Sequence, residues 1–260
     1  MTLAIHTGSR SGWTALLLLR DVAVEVGGRV VVRRASIEIP RGEIHLLLGP
    51  NASGKTTLLR GVVGYPGYRI ARGEAMLGGV DLRPLTMEER VAAGIGIAFQ
   101  WLPRLRGVRL RRLLEKIVSK RLGGSSREVE EEVRRIARLL SIEHLLDRDV
   151  GAGFSGGEGK RVEVATLLAQ RPRVALVDEP DSGVDVDSVF MVAQGLEELM
   201  REGTEAMLIV THTGFIARSM RHSRAYVMLG GEIVYSGPSG EVLRAVLEKG
   251  FSWLRGGSDG

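Results

Sequence analysis

Residues Gly49, Pro50, Asn51, Ala52, Ser53, Gly54, Lys55 and Thr56 have the spacing GxxxxGKT and follow the apolar run Ile44 to Leu48. A strand that ends in such a loop and opens a helix at Lys55 makes a cradle for phosphate. Glycines let backbone N–H groups close around the anion, and the helix N-terminus adds partial positive charge. Lys55 is placed to reach β- and γ-phosphates, while the Thr56 hydroxyl takes one position on Mg²⁺. Thr57, Leu58, Leu59, Val62 and Val63 continue an apolar helix behind the loop. The implied ligand is a nucleoside triphosphate, contacted from Gly49 through Thr57.

A second element is the apolar run Val174 to Val177, which ends in Asp178, Glu179 and Pro180. An aspartate at such a strand end, beside a phosphate loop, orders Mg²⁺ through its water shell. Glu179, one residue on, is placed to polarise a water for attack on the γ-phosphate. A positioned base of this kind contributes roughly 10²–10⁴ in rate. Phe154, Ser155, Gly156, Gly157 and Glu158 open another apolar helix and form a second anion-binding N-terminus. No lysine–threonine pair follows it, so its purpose stays open on spacing alone.

These elements need a frame. Strand-like runs occur at 15–26, 29–38, 44–48, 74–77, 95–99, 174–178, 206–211, 225–229 and 232–235. Helical patterns occupy 55–64, 86–93, 156–170, 187–202, 213–221 and 239–249. The stretch 101–153 reads as purely helical, with a capping box at Ser125 and Glu128 and an apolar face of Val129, Val133, Ile136 and Leu140. Pairs Glu130–Arg134 and Glu131–Arg135 have the i,i+4 spacing that supports a helix. The expected organisation is a flexible tail at 1–12, one domain over 13–253 and a second tail at 254–260. Within the domain, 13–100 and 154–250 form an α/β core and 101–153 a helical subdomain. The fold class is α/β, with an antiparallel β subdomain.

Composition limits the chemistry further. The chain has 260 residues, 44% of them apolar, and no cysteine, which excludes disulfides and thiolate metal sites. No apolar run approaches the ~18 residues of a membrane span, so direct membrane insertion is not expected and a cytoplasmic location is. Trp13 to Leu19 is apolar, but Arg20 and Asp21 interrupt it and alternation continues through Val22, Val24 and Val26, as in a first strand. The net charge is +5. Its one focused basic stretch, Arg104 to Arg121, reads either as a solvated helix face or as a docking surface, with Arg104, Arg106, Arg109, Arg111 and Arg112 as docking candidates. Nucleic acid is not an expected partner.

The order GPNASGKT, Phe99-Gln100, FSGGE, VALVDEP, Asp181-Ser182-Gly183-Val184-Asp185 and Val210-Thr211-His212 resembles the ATP-binding cassette (ABC) ATPases over roughly residues 15–250. The resemblance implies a P-loop NTPase core of ABC type that hydrolyses ATP with Mg²⁺. It also implies a transient, ATP-dependent homodimer in which Phe154 to Glu158 of one copy closes on nucleotide held by the other. Catalytic roles then fall to Glu179, Lys55, Gln100 and His212. Gln100 joins Thr56 and Asp178 near the metal and links the core to the helical insert, and His212 contacts the γ-phosphate. Ser182, Gly183 and Asp185 belong to a loop that crosses the dimer.

Within that family the text DSGVDVD, the GFSGGE signature followed by Lys160-Arg161, Trp101 with Pro103, and the end Leu247 to Leu254 resemble the Suf-system ATPases of iron–sulfur cluster assembly. That branch implies SufB/SufD-like scaffold partners; the alternative is the nucleotide-binding subunit of a membrane transporter. Val26 stands where many family members place an aromatic against adenine, which implies weaker stacking. Four positions depart from the pattern: Ala52 for glycine, Gly159 for lysine, Pro180, and Thr213 after His212. The first is expected to be tolerated at a negative φ.

Overall fold

The computed structural model describes residues 15–212, 214–251 and 254. The expected tail 1–12, Trp13, Thr14, Thr213, Ser252, Trp253 and residues 255–260 lie outside them. The chain opens with long antiparallel strands β1 (Ala15–Val26) and β2 (Arg29–Pro40), then β3 (Glu43–Leu48) feeding helix α1 (Lys55–Val63). There follow β4 (Tyr68–Leu77), β5 (Val80–Asp81), α2 (Met87–Ala93) and β6 (Ile95–Ala98). The insert contains β7 (Leu105–Arg109), α3 (Leu110–Leu122), α4 (Ser126–Leu139) and β8 (Asp149–Val150). The chain returns through α5 (Gly156–Gln170), β9 (Val174–Asp178), α6 (Val186–Arg201), β10 (Ala206–Thr211), β11 (Arg224–Leu229), β12 (Glu232–Pro238) and α7 (Ser239–Lys249).

Ten strands form one sheet in the order β5-β4-β1-β2-β12-β11-β3-β10-β9-β6. From β11 to β6 all neighbours are parallel. Strands β9 and β10 are buried along their whole length, because helices cover both faces of a parallel sheet and leave no wet side. The first strands pair antiparallel, and β2 touches β12 through one paired position, Arg34 opposite Glu232. The β11–β12 hairpin turns at Gly230 and Gly231, at φ 52 and 84, a left-handed pair suited to a tight hairpin. There the Gly231 carbonyl accepts the N–H groups of Arg33 and Arg34, and its own N–H donates to the carbonyl of Ser53. A Cβ on Gly231 would sit 2.3 Å from the Val31 carbonyl oxygen.

The register places the chemistry. Val210 on β10 pairs with Leu47 on β3 and with Asp178 on β9. The C-terminal ends of three adjacent strands therefore deliver Gly49, Asp178–Glu179 and Thr211–His212 to one edge of the sheet, where open α/β sheets bind ligands.

The insert departs from expectation. Its helices are present, with the Ser125–Glu128 capping box and with Val129, Val133, Ile136 and Leu140 buried. However, 101–153 is not purely helical. Strands β7 and β8 form a small antiparallel pair at its base, Leu105 opposite Val150. Gly107 at φ 76 and the two-residue length of β8 leave no period to read. The helix expected at 213–221 shrinks to a single 3₁₀ turn, Ile216–Ser219, after Gly214 at φ 66.

Arg135 does not pair with Glu131. It turns to Glu132 and Glu202 instead, at 2.8 and 2.6 Å. Glu132 also accepts from Arg121 and from Arg171, which binds Glu202 in turn. Arg121 thus joins this cluster, apart from the solvated or docking face read for Arg104 to Arg121, and Arg111 pairs with Asp147. The result is an ionic knot joining α3 and α4 to the C-terminal ends of α5 and α6. Burial alone would raise the Glu132 carboxyl, but Arg135, Arg171 and Arg121 outweigh it and hold the group at about 2, below its ordinary 4.5.

A folded-state value below that of the unfolded chain means the contribution is present above pH 4.5 and fades as pH falls toward 2. Glu132→Gln is expected to cost roughly 1–3 kcal/mol in urea unfolding at pH 7, since it strands partly buried arginines. The gap from the wild type should close at acid pH. A constant gap between pH 7 and pH 3 would contradict the assignment.

Candidate active site

Helix α1 begins at Gly54, φ 108, with no side-chain cap and no acidic residue in its first turn. Helices α2, α4, α5 and α6 are capped by Thr86, Ser125, Ser155 and Asp185. The first amides of α1 are left for a ligand, and the helix dipole favours an anion there. Gly49 has no room for a side chain, since a Cβ would lie 2.4 Å from the Met228 carbonyl oxygen. A cavity of about 400 Å³ in front of the loop is lined by Val31, Asn51 to Thr57, Gln100 and Glu179. No aromatic ring is among these lining residues.

Lys55 is buried and donates to the carbonyls of Gly49 and Pro50 at 2.8 and 2.9 Å. Its Nζ lies 4.0 Å from Glu179 Oε1. Burial pushes the ammonium pKa down, opposed by the charges of Glu179 and Asp178. Asp178 is pushed up by burial, although the Thr56 hydroxyl hydrogen-bonds to it. Its Oδ1 and the Ser53 hydroxyl are buried without a partner. Orphaned oxygens beside a phosphate cradle are what a hard cation with oxygen ligands would satisfy.

Glu179 stands at φ 48, a left-handed conformation unusual for a residue that precedes proline, with its N–H bonded to the Val210 carbonyl. Gln100 Nε2 donates to Glu179 Oε2 at 2.8 Å. His212 Nδ1 lies 3.3 Å from Glu179 Oε1, without the alignment of a hydrogen bond. Lys55, Gln100, Asp178, Glu179 and His212 therefore meet at one edge of the sheet.

Residues 154–158 do not join them. Phe154, Ser155 and Gly156 line a second cavity with Trp101, Leu102, Ser182 and Gly183, which shares Gln100 with the phosphate cavity. Ser155 Oγ accepts the Glu158 N–H, and the Glu158 carboxylate accepts the Ser155 N–H in return. The serine O–H proton remains available to an outside acceptor. His144 and the Ser155 bonds hold the Glu158 carboxyl at about 2. Gly157 fits against Ser188, whose Oγ would be 2.2 Å from an added Cβ, and Gly156 packs on the Gly183 carbonyl. Asp185 has a local task that spacing did not reveal: it caps α6 through the Ser188 N–H.

Among the other buried polar groups, the sequence reading takes Asp181 and Lys160 only as motif residues and misses Glu163. Asp181 accepts from the Thr211 hydroxyl and the Ile216 N–H. Lys160 and Glu163, on α5, reach the chain around Gln100. For Glu163 a signal existed, since an acid stands between Val162 and Val164 on a helix buried nearly all round.

Comparisons with known proteins identify the family. A family model described as ABC transporter matches residues 32–182. Vegetative protein 296 of Bacillus subtilis is 30% identical, the match covering 92% of this chain and 93% of that protein. The probable ATP-dependent transporter SufC of Escherichia coli is 32% identical, covering 92% and 98%. Among solved structures, a nucleotide-free ATP-binding cassette from an ABC transporter superposes with a TM-score of 0.73 at 25% identity, covering 90% of this chain and 96% of that one.

Ala52 corrects one expectation. It adopts φ 61, not a negative angle. A left-handed alanine costs roughly 1–2 kcal/mol, against about 0.5–1 kcal/mol of extra unfolded-state entropy for glycine. Ala52→Gly is therefore expected to stabilise the nucleotide-free chain by up to about 1 kcal/mol in chemical denaturation. A loss of stability would mean the loop does not hold this conformation in solution.

Proposed function

The chain belongs to the ABC transporter (ATP-binding cassette) family of ATPases, and we propose that within it the protein drives rearrangement of a Suf-type scaffold for iron–sulfur cluster assembly. The observation that carries this reading is the DSGVDVD text at Asp181 to Asp187, joined to similarity with a SufC protein over nearly its whole length. SufB/SufD-like proteins are the proposed partners. No described helix is long and apolar enough to cross a membrane, and we place the protein in the cytoplasm.

The proposed chemistry is transfer of the γ-phosphoryl group of ATP to water, which relies on positioning and electrostatic stabilisation. Backbone amides from Gly49 to Thr57 cradle the phosphates. Lys55 leaves the carbonyls of Gly49 and Pro50 for phosphate oxygen and neutralises charge. Glu179 accepts a hydrogen bond from the attacking water, and Gln100 and His212 orient the ends of that constellation. Thr56, Asp178 and Gln100 would hold Mg²⁺, whose chemistry there is neutralisation of phosphate charge. Ser155 and Gly157 of a second copy would complete the site, because no residue of 154–158 lines the phosphate cavity of its own chain. The Ser182–Asp185 loop, packed on Gly156, would lie at the same junction.

Glu179→Gln should bind ATP and persist as a dimer measurable by light scattering, whereas a monomer under saturating ATP would count against the split site. The partner is tested by tagged capture from the native host, with soluble and detergent-solubilised membrane fractions kept apart. Recovery of SufB/SufD-like subunits from the soluble fraction, with stimulated ATP hydrolysis, is the expected result. A multi-span permease in the membrane fraction would make this the motor of a transporter.

A further inference from the structure

Lys160 and Glu163 are charged, only 7% and 4% exposed, and have no part in the chemistry above. Three residues apart on α5, they share one face of the helix. Glu163 Oε2 accepts the Phe99 N–H at 3.0 Å. Lys160 Nζ donates to the Gln100 carbonyl at 2.8 Å and lies 3.4 Å from the Asp178 carbonyl. Together they grip the main chain on both sides of the Phe99–Gln100 pair. The Gln100 side chain then bonds Glu179.

This arrangement is costly. Burying a charge is unfavourable unless it is well bonded, and Glu163 Oε1 has no partner at all. Burial pushes the Glu163 carboxyl up to about 7 and the Lys160 ammonium down. A helix made only for packing would carry an apolar residue at 163, as it does at Val162 and Val164. The same helix starts at Ser155 and Gly156, so its first two turns face different tasks: the first is open to an outside anion while the second grips Gln100.

We propose that Lys160 and Glu163 are positioning residues that fix Gln100 against Glu179 and so make the geometry of the general base depend on the position of α5. The idea rests on the hydrolytic roles proposed for Gln100 and Glu179. Anything that shifts the first turn of α5 would shift the Gln100 main chain with it. A docked second copy would do so.

The test is steady-state ATP hydrolysis by the full chain, with ATP affinity measured separately by equilibrium binding. Glu163→Ala frees the Phe99 N–H, whereas Glu163→Gln keeps an acceptor oxygen. Lys160→Met removes the donor to Gln100, whereas Lys160→Gln keeps one. The expected result is a kcat about tenfold lower for Glu163→Ala and Lys160→Met, with KM and Kd for ATP within about twofold of wild type. The two amide variants should stay within about threefold of wild-type kcat. Should Glu163→Ala not fold, the Lys160 pair decides the matter alone. Wild-type kcat in the Ala and Met variants, or an equal loss in the amide variants, overturns the clasp while leaving the ATPase reading intact. A wild-type chain that binds ATP but never hydrolyses it, even beside its partner, would sink that reading and the clasp with it.

Discussion

The parallel pairing of β3, β10 and β9 is the constraint on which everything else depends. Each strand ends in a residue with a task, and the register that sets Val210 beside both Leu47 and Asp178 brings those ends level. A slip of one residue in any strand would turn its side chains to the opposite face and carry its terminal group out of reach. The burial of β9 and β10 on both faces makes such a slip expensive, because every alternate side chain has a helix or strand neighbour waiting for it. Hydrophobic burial thus holds a polar site whose own buried groups are poorly satisfied: Asp178 Oδ1, the Ser53 hydroxyl and His212 Nδ1 lack partners. Local instability at the strand ends is tolerated because the strands themselves are secure.

Much of this was legible before any coordinates. The phosphate loop, the acidic strand end and the histidine after an apolar strand are local patterns, each with its chemistry within a few residues. The long parallel strands and α5 also announce themselves by continuous apolar runs. What escaped depends on distant partners. Nothing near Arg135 says that Glu202 will outbid Glu131, since Glu202 arrives from another helix. The φ of Ala52 follows from how the whole loop closes, and β7 and β8 are too short to show a period. Asp185, read as part of a loop between copies, proved to have local work as a helix cap.

Two sets of polar contacts hold the insert and the chain that leads into it, and they differ in consequence. At the far ends of α5 and α6 the Glu132 knot ties α3 and α4 down through several arginines, so one lost contact leaves others in place. Near the phosphate cavity, within the core itself, one carboxylate and one ammonium hold the chain around Gln100 that leads into the insert. The insert is tied down redundantly at its far end, while the chain that leads into it from Phe99 and Gln100 rests on two contacts.

The turn at Gly231 has a consequence for how the cavity is built. The antiparallel half of the sheet contributes Val31 to the cavity wall, and the parallel half contributes the phosphate loop. These halves meet through one paired position, and the Gly231 peptide group spans the seam by bonding Arg33 and Arg34 on one side and Ser53 on the other. The cavity is therefore a notch cut across a crease, and the Gly231 peptide group is one of its stitches, beside the Arg33–Glu232 ion pair. The outer strands thus touch the phosphate loop directly, through the Gly231 peptide group and the Ser53 carbonyl.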